Sequence, residues 1–561
     1  MVVTATTITA TAVMETATKA VVTATRILHC CEENAVQDSA REIADREPRY
    51  AAPHPSVCPC ARMTTAQVAF LSVASAMVPR VSRRVAVIGG GSGGVVAARF
   101  MKRAGHRPVL FEAGSNFGGV WADSPTNDVV YKNLNTNLPT IVMQSPDLDF
   151  EASVPSYINK PQLGHYIEQY AQEFGVAPLA KLGARVTSIT PVCSSTGDAS
   201  DGDERWEVQW TTADGEMHAD TFEAVVVANG HYEEPYAPEL PGQREWLAAE
   251  PGRSIMHSRQ YDEPSAFANQ SVLIVGGRSS GVDISRELRG VAKWVYVLEK
   301  KCTAPITHEG EAVTHVPLGT RLCADGHLRM GSPPPAKGQE GAQEEVGTNT
   351  APVPGPPVER IVLATGYVYS FPFLDESTLG MRFRGRRSVT PLFQHLQHAR
   401  RPSLGFVGVQ LAVPCPIPFF ECQAAYLAEA WARPPTEPLS TEAEREAWVV
   451  QRLATVAASG REQDLHYTSA EGGSAWSYMR ELLRTVHATR PPTADGESWI
   501  ERDNWEQRLS TVEAVYNDRG ARYPKLPWHD DAYRKCEYSV DWASGEWSVD
   551  VSRTGVEAWM K

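Results

Sequence analysis

The stretch RVAVIGGGSGGVVAARFMKRAGHRPVLFE, residues 84–112, decides the fold. Val85, Ala86, Val87 and Ile88 form a short apolar run of the kind that fills a parallel strand buried on both faces. Glycines follow at positions 89, 91 and 94, spaced as G-x-G-x-x-G. Residues 95–104 read as an amphipathic helix and residues 108–112 as a second strand, so the stretch predicts a βαβ unit. In such a unit Gly89 makes the tight turn, Gly91 lets the backbone approach a pyrophosphate, and Gly94 lets the helix pack closely. The helix N-terminus then faces an anion. Glu112 ends the second strand, where a carboxylate accepts hydrogen bonds from ribose hydroxyls. The plain alternative is a glycine-rich turn with no ligand, and the flanking strand, helix and acid argue against it.

A second copy lies further along. Residues 271–275 (SVLIV) predict another strand, residues 276–281 (GGRSSG) another glycine turn, and a helix through Asp283, Ile284 and Leu288 to Trp294 follows. Gly276 and Gly281 take the places of Gly89 and Gly94, Ser280 stands where the first turn has Gly93, and Arg278 replaces the middle glycine. A side chain there obstructs the pyrophosphate unless it turns outward or pairs with a phosphate oxygen. Two cradles in one chain imply two cofactors, most simply a resident flavin dinucleotide and a nicotinamide dinucleotide that delivers hydride.

Length allows roughly three to four domains at ~150 residues each, enough for a large buried core. The chain has 561 residues, 53 Lys plus Arg against 67 Asp plus Glu, a formal charge of −14 and 42% hydrophobic residues. An acidic average field disfavours nucleic acid and anionic lipid as partners. No run of 18 apolar residues occurs, so no membrane span is expected. Residues 1–25 are almost all Thr, Ala and Val, and residues 51–111 contain no acid, with Arg62, Arg80, Arg83 and Arg84 set among Ser, Thr and Ala. Such composition fits a disordered head or a transit segment, with an inert extension, Met63 being the true start, as the equal alternative. The location expected is therefore the cytoplasm, or a plastid or mitochondrion if the head is a transit peptide. No ligand spacing suggests a metal.

Further residues carry a family resemblance. Gly118-Gly119-Val120-Trp121, the block from Tyr131 to Phe150 with Thr136-Asn137 and Pro146-Asp147, Val362-Leu363-Ala364-Thr365-Gly366-Tyr367, and Phe419-Phe420-Glu421-Cys422-Gln423 follow in order. Together with the glycine motifs they resemble the flavin-containing monooxygenases, from about Arg83 to Ala430. Residues 251–261 are similar to that family's fingerprint F-x-G-x-x-x-H-x-x-x-Y through Gly252, His257, Ser258 and Tyr261, but Glu250 stands where an aromatic belongs and the Gly-to-His spacing is one residue longer.

The resemblance implies an α/β fold of two interleaved Rossmann-like nucleotide-binding domains, for FAD and NAD(P)H, in a disulfide-reductase-like flavoprotein architecture. It implies a C4a-hydroperoxyflavin that oxygenates a soft sulfur or nitrogen centre of a small molecule, with dioxygen as co-substrate. Asn137 matches the active-site asparagine, whose amide can hold an oxygen intermediate or nicotinamide without titrating. The flavin-side residues implied are Gly89, Gly91, Gly94, Glu112, Gly119, Trp121, Thr136, Thr365, Gly366 and Gln423; the nicotinamide side takes Gly276, Arg278, Ser280, Gly281 and Lys300. Lys300, with Lys301 beside it, matches a 2′-phosphate reader and favours NADPH, whereas Glu299 in the ribose-carboxylate slot leaves NADH open. His257 is expected to be structural. A Baeyer-Villiger oxygenase and a non-catalytic flavoprotein are the alternatives, and a homo-oligomer is left open. A disulfide reductase would need a Cys-x-x-Cys, and the chain has none.

The expected organisation is an extension at 1–82, the first part of the FAD domain at 83–230, and the nicotinamide domain at 231–357 with a low-complexity insertion at 331–357. The second part of the FAD domain follows at 358–490 and an aromatic-rich extension at 491–561. Leu163, Tyr166, Ile167, Tyr170, Ala171 and Phe174 predict a core-facing helix started by Asn159 and Pro161. Trp206, Val208 and Trp210 predict a strand, Asp214-Gly215 a turn, and residues 225–228 a return to the sheet before the crossing at Gly230-His231. Thr441 and Glu444 have capping-box spacing before a helix that Gly460 ends, and Trp499, Trp528 and Trp547 argue that the tail packs on the body. Scattered histidines such as His466 are expected to be satisfied core or surface groups.

Overall fold

Apolar β-branched runs become the centres of two parallel sheets, because strands covered on both faces need no polar alternation. The computed structural model describes residues 79–556 apart from 123–128, 193–203, 309, 331–350, 385–386, 461–464, 469–473 and 523–529. The first sheet runs in the order Leu392–Phe393, Gln397–His398, Leu404–Phe406, Ala224–Val227, Arg84–Ile88, Arg107–Glu112, Ala180–Leu182. From Leu404–Phe406 onward its neighbours are parallel. The second sheet runs Ile306–His308, Val313–Pro317, Trp294–Glu299, Ser271–Val275, Arg360–Leu363, Ser254–His257, parallel except at the Ile306–His308 edge. Strands of the first sheet therefore flank those of the second in sequence.

Each sheet feeds a glycine turn and a helix. The first glycine helix, Ser92–Arg103, packs against the long helix Pro416–Ala432. It starts earlier than the predicted residue 95, because Gly91 is already its N-cap and its carbonyl accepts the Val95 amide at 3.0 Å. The second glycine helix, Ser279–Leu288, is shorter than predicted: Gly290 turns at φ +79° and Trp294 opens the next strand.

Other expected elements form with their signals intact. Helix Lys160–Glu173 carries a full capping box between Asn159 and Gln162, and buries Leu163, Tyr166, Ile167, Tyr170 and Ala171. Helix Glu442–Ala458 has the Thr441–Glu444 box, and Gly460 follows it at φ +62°. Trp206, Val208 and Trp210 are buried on strand Arg205–Thr211, in a separate antiparallel sheet with Arg185–Val192 and Met217–Phe222. Trp499 and Trp505 join the main core, with Trp542 and Trp547 packed on it; Trp528 lies outside the described residues.

Two expected extensions are corrected at their inner ends. Residues 79–82 belong to the fold: Arg80 pairs with Glu429 at 3.0 Å, and the Val81 amide donates to Ala432 at 2.7 Å. The neighbouring arginines also have structural partners, Arg83 donating to the Trp431 carbonyl and Arg84 to Asp220. Within the predicted insertion, residues 351–357 are packed: Val353 is buried, its amide donates to Leu328, and Tyr296 donates to the Pro356 carbonyl at 2.7 Å. Residues 1–78 and 331–350 lie outside the described residues. Among the described residues no helix is long and apolar enough to cross a membrane.

A buried ionic network ties the first sheet's helices to the tail. Arg99, on the first glycine helix, donates to Glu421 at 2.9 Å and to Asp147 at 2.6 Å, and its guanidinium lies 3.4 Å from the centroid of the Phe174 ring. Glu421 also accepts from Ser145, Tyr170 and the Trp499 indole, while Asp147 accepts from Ser498 and the Trp499 amide. Burial pushes the Glu421 carboxyl up against the pull of Arg99. The carboxylate oxygens of Glu421 and Asp147 are filled this way, which is the condition for tolerating buried charge, while the Arg99 Nε is left buried without a partner.

Candidate functional site

Both glycine turns open on one cleft of about 2470 Å³, more than twice the ~300–1,000 Å³ of an ordinary ligand pocket. The first cradle sits at the carboxyl end of strand Arg84–Ile88. Gly89 turns at φ +112°, and a Cβ on it would lie 2.5 Å from the Ala228 carbonyl oxygen. Gly94 does not line the cleft. It is the contact between helix and turn, since a Cβ there would stand 1.8 Å from the Gly89 oxygen. Gly91 faces the segment 118–119, where a Cβ would meet the Gly119 Cα at 3.4 Å. Glu112 is held in place by the Gly90 and Gly114 amides, at 2.5 and 2.6 Å, one to each carboxylate oxygen. Two lines of lone pairs remain on it for hydroxyl donors. Trp121 reaches the cleft because Gly164 lets helix Lys160–Glu173 approach the Trp121 carbonyl.

The second cradle repeats this backbone. Gly276 turns at φ +117° against Ala364, and Gly281, behind the cleft wall, packs on the Gly276 carbonyl as Gly94 packs on Gly89. Arg278 is the N-cap of its helix at φ −103°, ψ −167°, extended backbone that any residue adopts. Its exposed side chain lies along the cleft, where Nη1 donates to the Tyr467 hydroxyl at 3.3 Å. Ser280, Lys300 and Lys301 line the cleft, both lysines exposed. Glu299 Oε1 lies 2.8 Å from His315 Nδ1.

Between the cradles lies the segment with Thr136 and Asn137. Thr136 is buried: its amide donates to the Ile158 carbonyl at 2.8 Å and its hydroxyl accepts the Ile158 amide at 3.1 Å. Asn137 is exposed into the cleft. Thr365 donates to the Tyr236 carbonyl, and the Gly366 carbonyl accepts both the Tyr236 amide at 2.9 Å and His257 Nε2 at 3.1 Å. His257 Nδ1 accepts the Arg259 amide, so the proton sits on Nε2. The ring thereby joins the fingerprint segment to the turn after strand Arg360–Leu363, and burial lowers its pKa. This is the structural role expected of it.

Gln423 is corrected in place. It is fully buried behind the cleft, where it accepts the Gly408 amide at 3.0 Å and donates to Gln410 at 3.0 Å and Tyr478 at 3.2 Å. Gly408 and Gln410 line the cleft, so Gln423 can reach a ligand only through them. Sequence reasoning also missed two groups that meet the cleft, His231 and Arg387. His231 donates from Nδ1 to the Gly408 carbonyl at 3.2 Å, leaving its buried Nε2 without a partner, and the Arg387 Nε is likewise buried and unpaired. Burial, with Arg387 adding to it against the Gly408 carbonyl, lowers the His231 pKa to about 4. The only signal for His231 was its place after Gly230, and Arg387 had none. His466 is a satisfied core group, accepting the Val389 amide and facing His395.

Charge in the cleft departs from the chain average. Among its described lining residues, Arg185, Arg259, Arg278, Lys300, Lys301 and Arg387 outnumber Glu112, Glu233, Asp283 and Glu299, on a chain of formal charge −14. A locally cationic, concave site suits polyanionic ligands. No group of His, Cys, Asp and Glu among the described residues is placed to hold a metal ion.

Comparison with known proteins gives a consistent picture. The family described as flavin-binding monooxygenase-like matches residues 82–311. Flavin-containing monooxygenase FMO GS-OX-like 2 of Arabidopsis thaliana is 34% identical over 376 residues, 62% of this chain and 74% of that protein. FMO GS-OX5 of the same plant is 30% identical over 479 residues, 80% of this chain and 92% of that protein. Among solved structures, S-allyl-L-cysteine S-oxygenase from Allium sativum superposes with a TM-score of 0.63 at 28% identity, covering 81% of this chain and 96% of that one. Tmm from a Pelagibacter species gives 0.60 at 18% identity, covering 83% and 96%, a likeness of fold alone.

Proposed function

The chain belongs to the flavin-containing monooxygenase family, and from that premise we propose that it uses NADPH and dioxygen to place one oxygen atom on the sulfur of a small thioether. The observation that carries this reading is the pair of glycine cradles opening on one cleft with Asn137 between them. The residues fit two dinucleotides: each cradle is a turn that a Cβ would fill, and each has a carboxylate at the end of the following strand. The S-oxygenase named above acts on a thioether, which favours sulfur over nitrogen in this proposal.

Bound FAD would supply the two-electron chemistry that activates dioxygen. Around it, the Ser92 end of the first glycine helix would receive the pyrophosphate and Glu112 would accept from ribose hydroxyls. The Gly276 turn would take the second pyrophosphate, with Lys300 beside the adenosine phosphate and Arg278 engaged by Tyr467. The Asn137 amide offers a donor and an acceptor that do not titrate, so it can hold a reactive oxygen without supplying the acid that would release it as peroxide. The balance is NADPH, a proton, dioxygen and thioether giving NADP⁺, water and sulfoxide: sulfur loses two electrons, the hydride supplies two, and dioxygen takes up four.

The test is direct. Purified protein is expected to be yellow, to oxidise NADPH in air, and to convert a dialkyl sulfide to a sulfoxide in near-equal amount. Conversion of ketones to esters instead would mark the Baeyer-Villiger alternative. A yellow protein that consumes neither NADPH nor NADH overturns the enzymatic reading.

A further inference from the structure

The aromatic tail, which the function above does not use, reaches the wall of the cleft. Tyr533 is buried with its ring 5.6 Å from Tyr157, and the strand Glu537–Val540 is latched to Ser156. The Ser156 amide donates to Glu537 at 2.9 Å and the Tyr538 amide donates to the Ser156 hydroxyl at 2.7 Å. Those anchors present Arg534, whose side chain is 13% exposed. Its Nε donates to the Thr136 carbonyl at 3.2 Å, and its Nη2 donates to both oxygens of Asp283 at 3.1 and 3.0 Å.

These contacts have a geometric consequence. The Thr136 carbonyl belongs to the peptide unit that carries the Asn137 amide, so fixing it fixes the plane from which Asn137 departs. Ile158 already holds the Thr136 amide and hydroxyl, and Arg534 supplies the remaining point. Asp283 sits on the second glycine helix, where it also accepts from Arg286 at 2.7 Å and from Tyr131 at 3.4 Å. One planar fork therefore joins the Asn137 segment to the helix of the second cradle, a task for which a point-charge lysine is a poor substitute.

We infer that Arg534, in the C-terminal tail, is a positioning residue for Asn137 that holds it in register with the second nucleotide cradle. The inference rests on the reading of Asn137 given above. When Asn137 is misplaced, oxygen transfer to sulfur is lost first, and NADPH, a proton and dioxygen give NADP⁺ and hydrogen peroxide instead. A misplacement of about 1 Å can cost on the order of a hundredfold in a positioned step, so a partial release is expected to be easily read.

The experiment uses the full, flavin-loaded chain with NADPH and a dialkyl sulfide. In Arg534→Met the ratio of sulfoxide to peroxide is expected to fall about tenfold, with a smaller change in the NADPH KM. Arg534→Lys, which keeps the charge and the fold, is expected to recover the ratio in part. Amide hydrogen exchange over residues 131–143 gives a readout independent of turnover, expected to quicken about tenfold in Arg534→Met and less in Asp283→Asn. If Arg534→Met folds with wild-type exchange in that segment and an unchanged sulfoxide-to-peroxide ratio, the inference is overturned. If Arg534→Met does not fold, the same two readouts in Arg534→Lys decide it. A wild type that makes no sulfoxide defeats the proposed function, and the exchange measurement still decides whether Arg534 holds the segment.

Discussion

The two glycine cradles have nearly the same backbone and different demands on their side chains. Gly89 and Gly276 turn at φ +112° and +117°, and the third glycines, Gly94 and Gly281, each press against the first glycine's carbonyl. The middle position separates them. Gly91 and Arg278 are both extended, so neither needs glycine for its φ. What differs is the neighbour: Gly119 closes over Gly91, whereas the Arg278 side chain is exposed in the cleft and reaches Tyr467. The requirement for glycine at that position is therefore set by the surrounding packing, and it is relaxed where the side chain has an exposed path.

Exchanging the middle residues is expected to have the largest effect. Gly91→Arg forces a long side chain into the closed cradle, and flavin retained through purification is expected to drop to about a tenth or less of wild type, read by visible absorbance. The third glycines should behave alike. Gly94→Ala and Gly281→Ala each set a methyl within 1.8 and 1.7 Å of a carbonyl oxygen. A loss of about 1–3 kcal/mol in each is expected from denaturant titration, and a marked inequality would show that the cradles are less alike than their backbones.

Smaller effects sharpen the second cradle. Lys300→Ala is expected to raise the KM for NADPH about tenfold and leave that for NADH within about twofold, the size of one charge-assisted contact. An equal effect on both cofactors would show that Lys300 does not read the 2′-phosphate. Arg278→Gly should be the mildest, with flavin content unchanged and the NADPH KM within about twofold, because the exposed guanidinium is already engaged by Tyr467. A large loss of NADPH binding would mean that Arg278 swings back to meet a phosphate.

Legibility followed the range of the interaction. The strands at 85–88 and 271–275, the capping boxes at Asn159 and Thr441, and the helix stripe from Leu163 to Ala171 rest on neighbours a few residues apart, and they formed as read. Errors came where a distant partner decided. Residues 351–357 read as a segment too polar to order, but Val353 finds Leu328 and Pro356 finds Tyr296. Gln423 read as a flavin contact because it closes a motif, yet its amide is consumed by Gly408, Gln410 and Tyr478. Arg99 carries no signal at all, since its carboxylate partners lie 48 and 322 residues away.

From the chain alone one reads two strand–glycine turn–helix units, because turns, strand runs and helix starts are encoded by residues close together, and an ordered set of motifs that resembles the flavin-containing monooxygenases. Tertiary structure alone decided which cradle is closed, that Gln423 stands behind the cleft, and that Arg534 from the tail meets Thr136 and Asp283. Those outcomes depend on which side chains arrive from hundreds of residues away, and shape and charge complementarity between such segments leaves no periodicity or spacing in one sequence.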